Sequence, residues 1–140
     1  MVGNIVNVYI SNFDFAPMTS QSCDCSALVI DLGYKLILVE HDKYKDLGCI
    51  RYKEIAGFDK SIFSICVVLN EDLFSFDKVL YHDNGVIDAI RYRSKDTFMF
   101  IFASEYELIL TKSKYDLFED GKMEFPEKEA ILEYKRVGIL

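Results

Sequence analysis

Apolar and polar positions alternate most clearly over residues 78–125, KVLYHDNGVIDAIRYRSKDTFMFIFASEYELILTKSKYDLFEDGKMEF. The period is two, the period of a strand whose side chains point to opposite faces in turn. Asn84-Gly85, Lys95-Asp96 and Asp120-Gly121 interrupt the pattern. Asn-Gly and Asp-Gly between apolar segments favour type I′ hairpin turns, which need positive φ at both central residues. The stretch therefore predicts an antiparallel meander.

The same reading extends along the chain. NIVNVYI (residues 4–10) is rich in β-branched residues and predicts a first strand. SNFDFAPMTSQSCD (11–24) predicts a polar and aromatic loop. CSALVIDL (25–32) and YKLILVEH (34–41), separated by Gly33, predict either two strands or one strand continued through a bend. Residues 42–60 mix charge with aromatics and two glycines. They admit a short helix near 42–47 or a charged strand near 49–54. SIFSICVVLN (61–70) predicts a strand, and EDLFSFD (71–77) an acidic turn.

The C-terminal stretch changes period. Pro126 suits a first helical turn, Glu127 and Glu129 favour the positive end of a helix dipole, and Lys135 and Arg136 the negative end. Gly138 can close the helix. Ala130, Ile131, Tyr134 and Val137 form one modest apolar face. The expected fold is α+β and mostly β. It is a single antiparallel meander-type sheet, strongly curved or a half-barrel, with a C-terminal helix, in one domain over residues 1–140.

Register decides which face is buried. A two-residue turn at Asn84-Gly85 pairs Tyr81 with Asp88 and Val79 with Ile90. A two-residue turn at Lys95-Asp96 places Arg91 and Arg93 on the face of Phe98, Phe100 and Phe102. Burying guanidiniums without partners costs several kcal/mol each as an order of magnitude. A three-residue loop, Lys95-Asp96-Thr97, pairs Tyr92 with Phe100 and Ile90 with Phe102 instead, and it is the expected register. One face then carries Val79, Tyr81, Ile90, Tyr92, Phe98, Phe100, Phe102, Tyr106, Leu108 and Leu110. The other carries an apolar centre of Ala89, Met99, Ile101 and Ala103, rimmed by His82, Arg91, Arg93, Glu105 and Glu107. Either the C-terminal helix or a partner covers that second face.

The chain has 140 residues, 51% of them hydrophobic, with eleven Phe and nine Tyr. That is enough for a core without disulfides or metals. No run of eighteen uncharged apolar residues occurs, so no spanning helix is expected. The start lacks a charged signal-peptide region and does not match a myristoylation signal, and the expected location is the cytoplasm. A net charge of −7 argues against direct nucleic-acid binding, which needs clustered Lys and Arg. It favours a basic partner.

Candidate chemistry is sparse. The four cysteines read as reduced thiols. Cys49 and Cys66 fall in apolar contexts as core residues. Cys23-Asp24-Cys25, on a polar approach to a strand and more exposed than the other two thiols, is a C-x-C spacing able to chelate a soft metal, but no second close pair completes a zinc-type set. His41-Asp42 and His82-Asp83 lack the further ligands a metal site needs. Ser61, Ser64 and Ser104 sit in no nucleophile elbow, and no Gly-rich phosphate loop occurs. No cofactor and no catalytic residue is assigned.

Three functions follow as expectations. The first is a non-enzymatic acidic protein-binding module, an immunity or inhibitor protein occluding a basic partner such as a toxin nuclease. Its candidate partner-binding residues are Glu105, Glu107, His82, Arg91, Arg93 and Ile101. The second is a small-molecule-binding β-barrel or a small enzyme with a site lined by Tyr and carboxylates. The third is a structural or assembly subunit that self-associates through a sheet edge.

Overall fold

A computed structural model describes residues 4–11, 22–44, 47–66, 73–81, 87–104 and 106–114. Ten strands occupy them in chain order: β1 (Asn7–Ser11), β2 (Ser22–Cys25), β3 (Ala27–Asp31), β4 (Leu36–Tyr44), β5 (Leu47–Ile55), β6 (Phe63–Ile65), β7 (Ser75–Tyr81), β8 (Ile87–Ser94), β9 (Thr97–Ala103) and β10 (Leu108–Ser113). Every pairing between them is antiparallel. The mostly-β antiparallel expectation holds. The loop expected over 11–24 is shorter than that, because Ser11 ends β1 and Ser22–Asp24 belong to β2; residues 12–21, the predicted C-terminal helix and the turns at Asn84-Gly85 and Asp120-Gly121 lie outside the described residues.

A single sheet is the wrong description. The hydrogen-bonded path runs β2-β10-β9-β8-β5-β4-β3-β1-β6, with β7 on the other edge of β8. The link from β8 to β5 is one bridge, Ile50↔Ile87. The path therefore folds into two sheets, β7-β8-β9-β10-β2 and β5-β4-β3-β1-β6. At a second corner the chain bends through Ser26 between β2 and β3, where Ser26 O accepts from His41 N at 3.2 Å. The Asn4↔Ser75 bridge and Ile5 N→Phe74 O at 2.8 Å tie β1 to β7.

The alternating apolar residues of both sheets meet in one core. Val8, Ile10, Leu28, Ile30, Ile37 and Val39 come from one sheet; Tyr92, Met99, Ile101, Ala103, Leu108 and Leu110 come from the other. Burying these side chains stabilises the fold by roughly 1.5–3 kcal/mol for each large one, before chain entropy is counted.

Local chemistry sets the connections. Residues 25–41 form two strands, not one bent strand. Gly33 adopts φ 83°, its N–H donates to Asp31 Oδ1 at 2.7 Å, and Leu32 N donates to Lys35 O at 3.0 Å. Within 42–60 the charged-strand alternative is the one realised, as β5, while β4 runs on to Tyr44. Of the strand expected over 61–70, the described residues 61–66 hold β6, Phe63–Ile65, and residues 67–70 lie outside the described residues. Asp59 captures its start: Oδ1 accepts from Ser61 N at 2.9 Å and Ser61 Oγ at 2.7 Å, which makes a turn.

The register of β8 and β9 overturns the expected three-residue loop. Ser94 pairs with Thr97, Arg93 with Phe98, Tyr92 with Met99 and Ile90 with Ile101, so Lys95-Asp96 is a two-residue turn. Arg91 and Arg93 do share a face with Phe98, Phe100 and Phe102. Guanidiniums buried without partners would disfavour this register, but Arg91 has a partner, for a structural reason. Pairing of β7 with β8 skips from Phe76↔Tyr92 to Lys78↔Arg91, so Asp77 is the extra residue of a β-bulge. A bulge re-aims a side chain. Here it brings Asp77 Oδ2 to 2.6 Å from Arg91 Nε. The guanidinium of Arg91 also lies 5.4 Å from the Phe98 ring centroid, and that of exposed Arg93 lies 4.8 Å from it.

Only β9 is turned over: Ile90, Tyr92, Leu108 and Leu110 stay on the core face as expected, while the residues of β9 change sides. Met99, Ile101 and Ala103, expected on an outer patch, fill the core between the sheets. Phe100, Phe102 and Ile109 are fully buried on the opposite face, beside Ala89.

Candidate functional site

The most organised polar group lies where the β4–β5 hairpin meets the connection from β9 to β10. His41 points inward near the end of β4, and its Nε2 lies 2.9 Å from Ser104 O. A carbonyl oxygen only accepts, so Nε2 carries a proton and donates it to Ser104 O. Gly48 on β5 lets this approach happen, because a β-carbon there would collide with the Ser104 carbonyl oxygen.

Ser104 to Glu107 forms a stapled turn. Ser104 N donates to Glu107 O at 2.8 Å, and Ser104 Oγ donates to the same oxygen at 3.1 Å. Glu107 N donates back to Ser104 Oγ at 3.2 Å. The hydroxyl is thus committed to the turn, and the histidine contacts the main chain.

The arrangement presents side chains outward. Tyr106 is 77% exposed, the most exposed of the large hydrophobic side chains described. Lys43 Nζ lies 5.6 Å from its ring centroid. Burial pushes the Glu107 carboxyl above its ordinary value of 4.5, while the charge of His41 pulls it back down. On the neighbouring outer surface, Arg51 bridges Glu40 at 3.9 Å and Asp42 at 3.8 Å. These long, exposed pairs contribute little stability.

The residues expected to form one rim are not brought together. Glu107 belongs to the stapled turn and not to a strand. Arg91 and Arg93 are on the outer face of β8, with Asp77 and Phe98. Ile101 is fully buried in the core and cannot contact a partner. Glu105 and His82 lie outside the described residues. In the sequence His41 has only the weak metal reading of its His-Asp dipeptide, and Gly48 carries no signal of a close approach. Tyr106 was assigned to a core face by strand alternation carried through a turn, and that error hid it.

Cys23 and Cys25 are also placed differently from expectation. They are buried side chains of β2, paired with β10, and not an exposed approach. Among the described residues, no three His, Cys, Asp or Glu side chains converge as a metal-binding group. An open depression of ≈ 320 Å³ lies between Gly33–Leu36 and Glu54–Ala56. Among the described residues no helix is long and apolar enough to cross a membrane. Compared with protein-family models, curated proteins and solved structures, the chain matches none.

Proposed function

We propose that this chain is a non-enzymatic acidic protein-binding module that occludes a basic partner, in the manner of an immunity or inhibitor protein set against a toxin nuclease. The observation that carries the reading is Tyr106, held out to solvent on a turn fixed by the Ser104–Glu107 bonds and by His41. A partner that covers a prearranged aromatic side chain loses less conformational entropy than one that must order a loop. Exposed tyrosine is also a common energetic anchor of interfaces. The net charge of −7 speeds encounter with a cationic surface.

One observation weighs against the assembly-subunit alternative at the open edge of β5. The His41 N–H points to β3, so odd-numbered residues of β4 bond β3 and even-numbered ones bond β5. Through the pairs Glu40↔Arg51 and Leu38↔Lys53, the odd residues of β5 bond β4. Tyr52 and Glu54 turn their N–H and C=O groups outward. Two copies paired about a two-fold axis have three central registers. Tyr52 against Tyr52 sets Arg51 opposite Lys53; Tyr52 against Glu54 sets Lys53 opposite Lys53; Glu54 against Glu54 opposes two carboxylates. Like charges directly opposite destabilise a strand pair. Each of these three registers disfavours self-pairing along the part of the β5 edge that carries no ladder among the described residues.

The test is capture of partners from the native host, followed by a salt titration of the bound protein. Under the proposal a basic protein binds and is released by salt. Tyr106→Ala weakens it by on the order of 30-fold, the scale of an interface hot spot. Glu105→Lys/Glu107→Lys weakens it further and flattens its salt dependence. Copurification of a small ligand with no protein partner overturns the proposal in favour of the small-molecule reading.

A further inference from the structure

We infer that Cys23 and Cys66 form a reversible disulfide that locks the two terminal strands of the sheet path together. Both side chains are buried, at 1% and 4% exposure, and their Sγ atoms lie 3.9 Å apart with no disulfide between them. A disulfide has its sulfurs about 2.05 Å apart, so roughly 1.9 Å of approach completes the bond.

The location gives the bond a consequence beyond packing. β2 is one end of the hydrogen-bonded path and β6 is the other. Cys23 is on β2, and Cys66 follows directly on β6, held by its N–H to Val8 O at 2.7 Å. No backbone ladder pairs β2 with β6 among the described residues. The sulfur contact is where the two ends of the path come together, and a covalent bond there closes it into a ring. The reduced form keeps two strand ends free to part, whereas the oxidised form does not. The neighbouring thiols differ in placement. Cys25 is two residues along the same buried face of β2, and Cys49 lies on β5, opposite Asp42.

The reaction is thiol–disulfide exchange with a small-molecule disulfide such as oxidised glutathione. One cysteine thiolate attacks a glutathione sulfur, forming a mixed disulfide and releasing one reduced glutathione. The second cysteine thiolate attacks the protein sulfur of that mixed disulfide and releases the other. The protein loses two protons and two electrons; the glutathione disulfide takes them up as two thiols.

The experiment equilibrates the full chain in buffers of varied reduced-to-oxidised glutathione ratio, traps thiols by acid and alkylation, and reads the intact mass and a peptide map. The expected result is loss of two hydrogens, with one cross-linked peptide joining Cys23 to Cys66. A melting curve of the same samples should rise by on the order of 10 °C on oxidation, since the bond closes a span of 43 residues. Cys49→Ser should still form the link, and Cys66→Ser should not. A cross-link through Cys25 or Cys49, or four alkylated thiols at every ratio, overturns the inference. The wild-type peptide map decides this even where a serine variant folds poorly.

Discussion

Asp77→Ala tests how this sheet holds an arginine on an aromatic face. Arg91 is buried, its side chain 7% exposed, and its Nε donates to Asp77 Oδ2 at 2.6 Å. Removing one partner of a fully buried pair costs about 3–5 kcal/mol, because the remaining charge stays desolvated. An exposed pair is worth at most about 1 kcal/mol. The Asp77 side chain is 28% exposed, and Arg91 keeps its contact with the Phe98 ring. The expected loss is therefore about 2–3 kcal/mol. Urea unfolding is the assay: the midpoint should fall while the slope stays unchanged. The double variant Asp77→Ala/Arg91→Met removes both charges while keeping an unbranched side chain over Phe98. It should recover most of the loss, giving a coupling of about 1.5–2 kcal/mol. A loss below about 0.5 kcal/mol in Asp77→Ala, with no recovery in the double variant, refutes the reasoning. The bulge at Asp77 would then be incidental to the register.

Three further outcomes are expected. Gly48→Ala should destabilise by about 2–3 kcal/mol, because the new methyl meets the backbone carbonyl of Ser104, which cannot rotate aside; an unchanged melting temperature would sink the close-approach argument. Tyr92 is fully buried, and burial, with a smaller push from Tyr52, raises its phenol above the ordinary 10.0. Its contribution is complete below pH 10 and declines as the unfolded phenol ionises above it, so Tyr92→Phe should show a shallower alkaline loss of stability in pH-dependent melts. Glu107 has its carboxyl raised above 4.5, so its protonation favours the folded state; that contribution is present below pH 4.5 and lost as pH rises through the raised value. Glu107→Gln should be more stable than the wild type at neutral pH, with the difference shrinking on acidification, and an advantage independent of pH would argue against this cause.

Most strand positions were legible because period-two alternation is a local property; β2 and the start of β7 were not, because polar residues there mimic a loop and a turn. The β8 and β9 segments, the two-strand option around Gly33 and the charged β5 could all be read from consecutive residues. Register was not legible, and the reason is specific. Choosing between a two- and a three-residue loop at Lys95-Asp96 turned on whether Arg91 would have a partner. That partner, Asp77, sits fourteen residues away and reaches Arg91 only because β7 bulges. Tyr106 was misassigned for a related reason. Alternation was counted straight through Ser104–Glu107, although the hydroxyl of Ser104 offers its own hydrogen bonds and turns the chain there. Cys23 and Cys25 read as exposed because Asp24 and the serines around them are polar. Pairing with β10 buries them all the same.

What the sequence determined by itself was therefore the material of the fold: antiparallel strands, an ample apolar core and an acidic surface. Each is set by neighbours along the chain or by composition. Only the tertiary structure decided which face of the aromatic meander is the core, that the sheet divides into two, and that β2 and β6 meet at a pair of sulfurs. The physical reason is that a slip of one residue reverses every side chain in a strand. The free energy that selects the register comes from contacts between segments far apart in the chain. Asp77 with Arg91, Gly48 beneath Ser104 and Cys23 beside Cys66 are three such contacts, and none is visible before the strands are placed side by side.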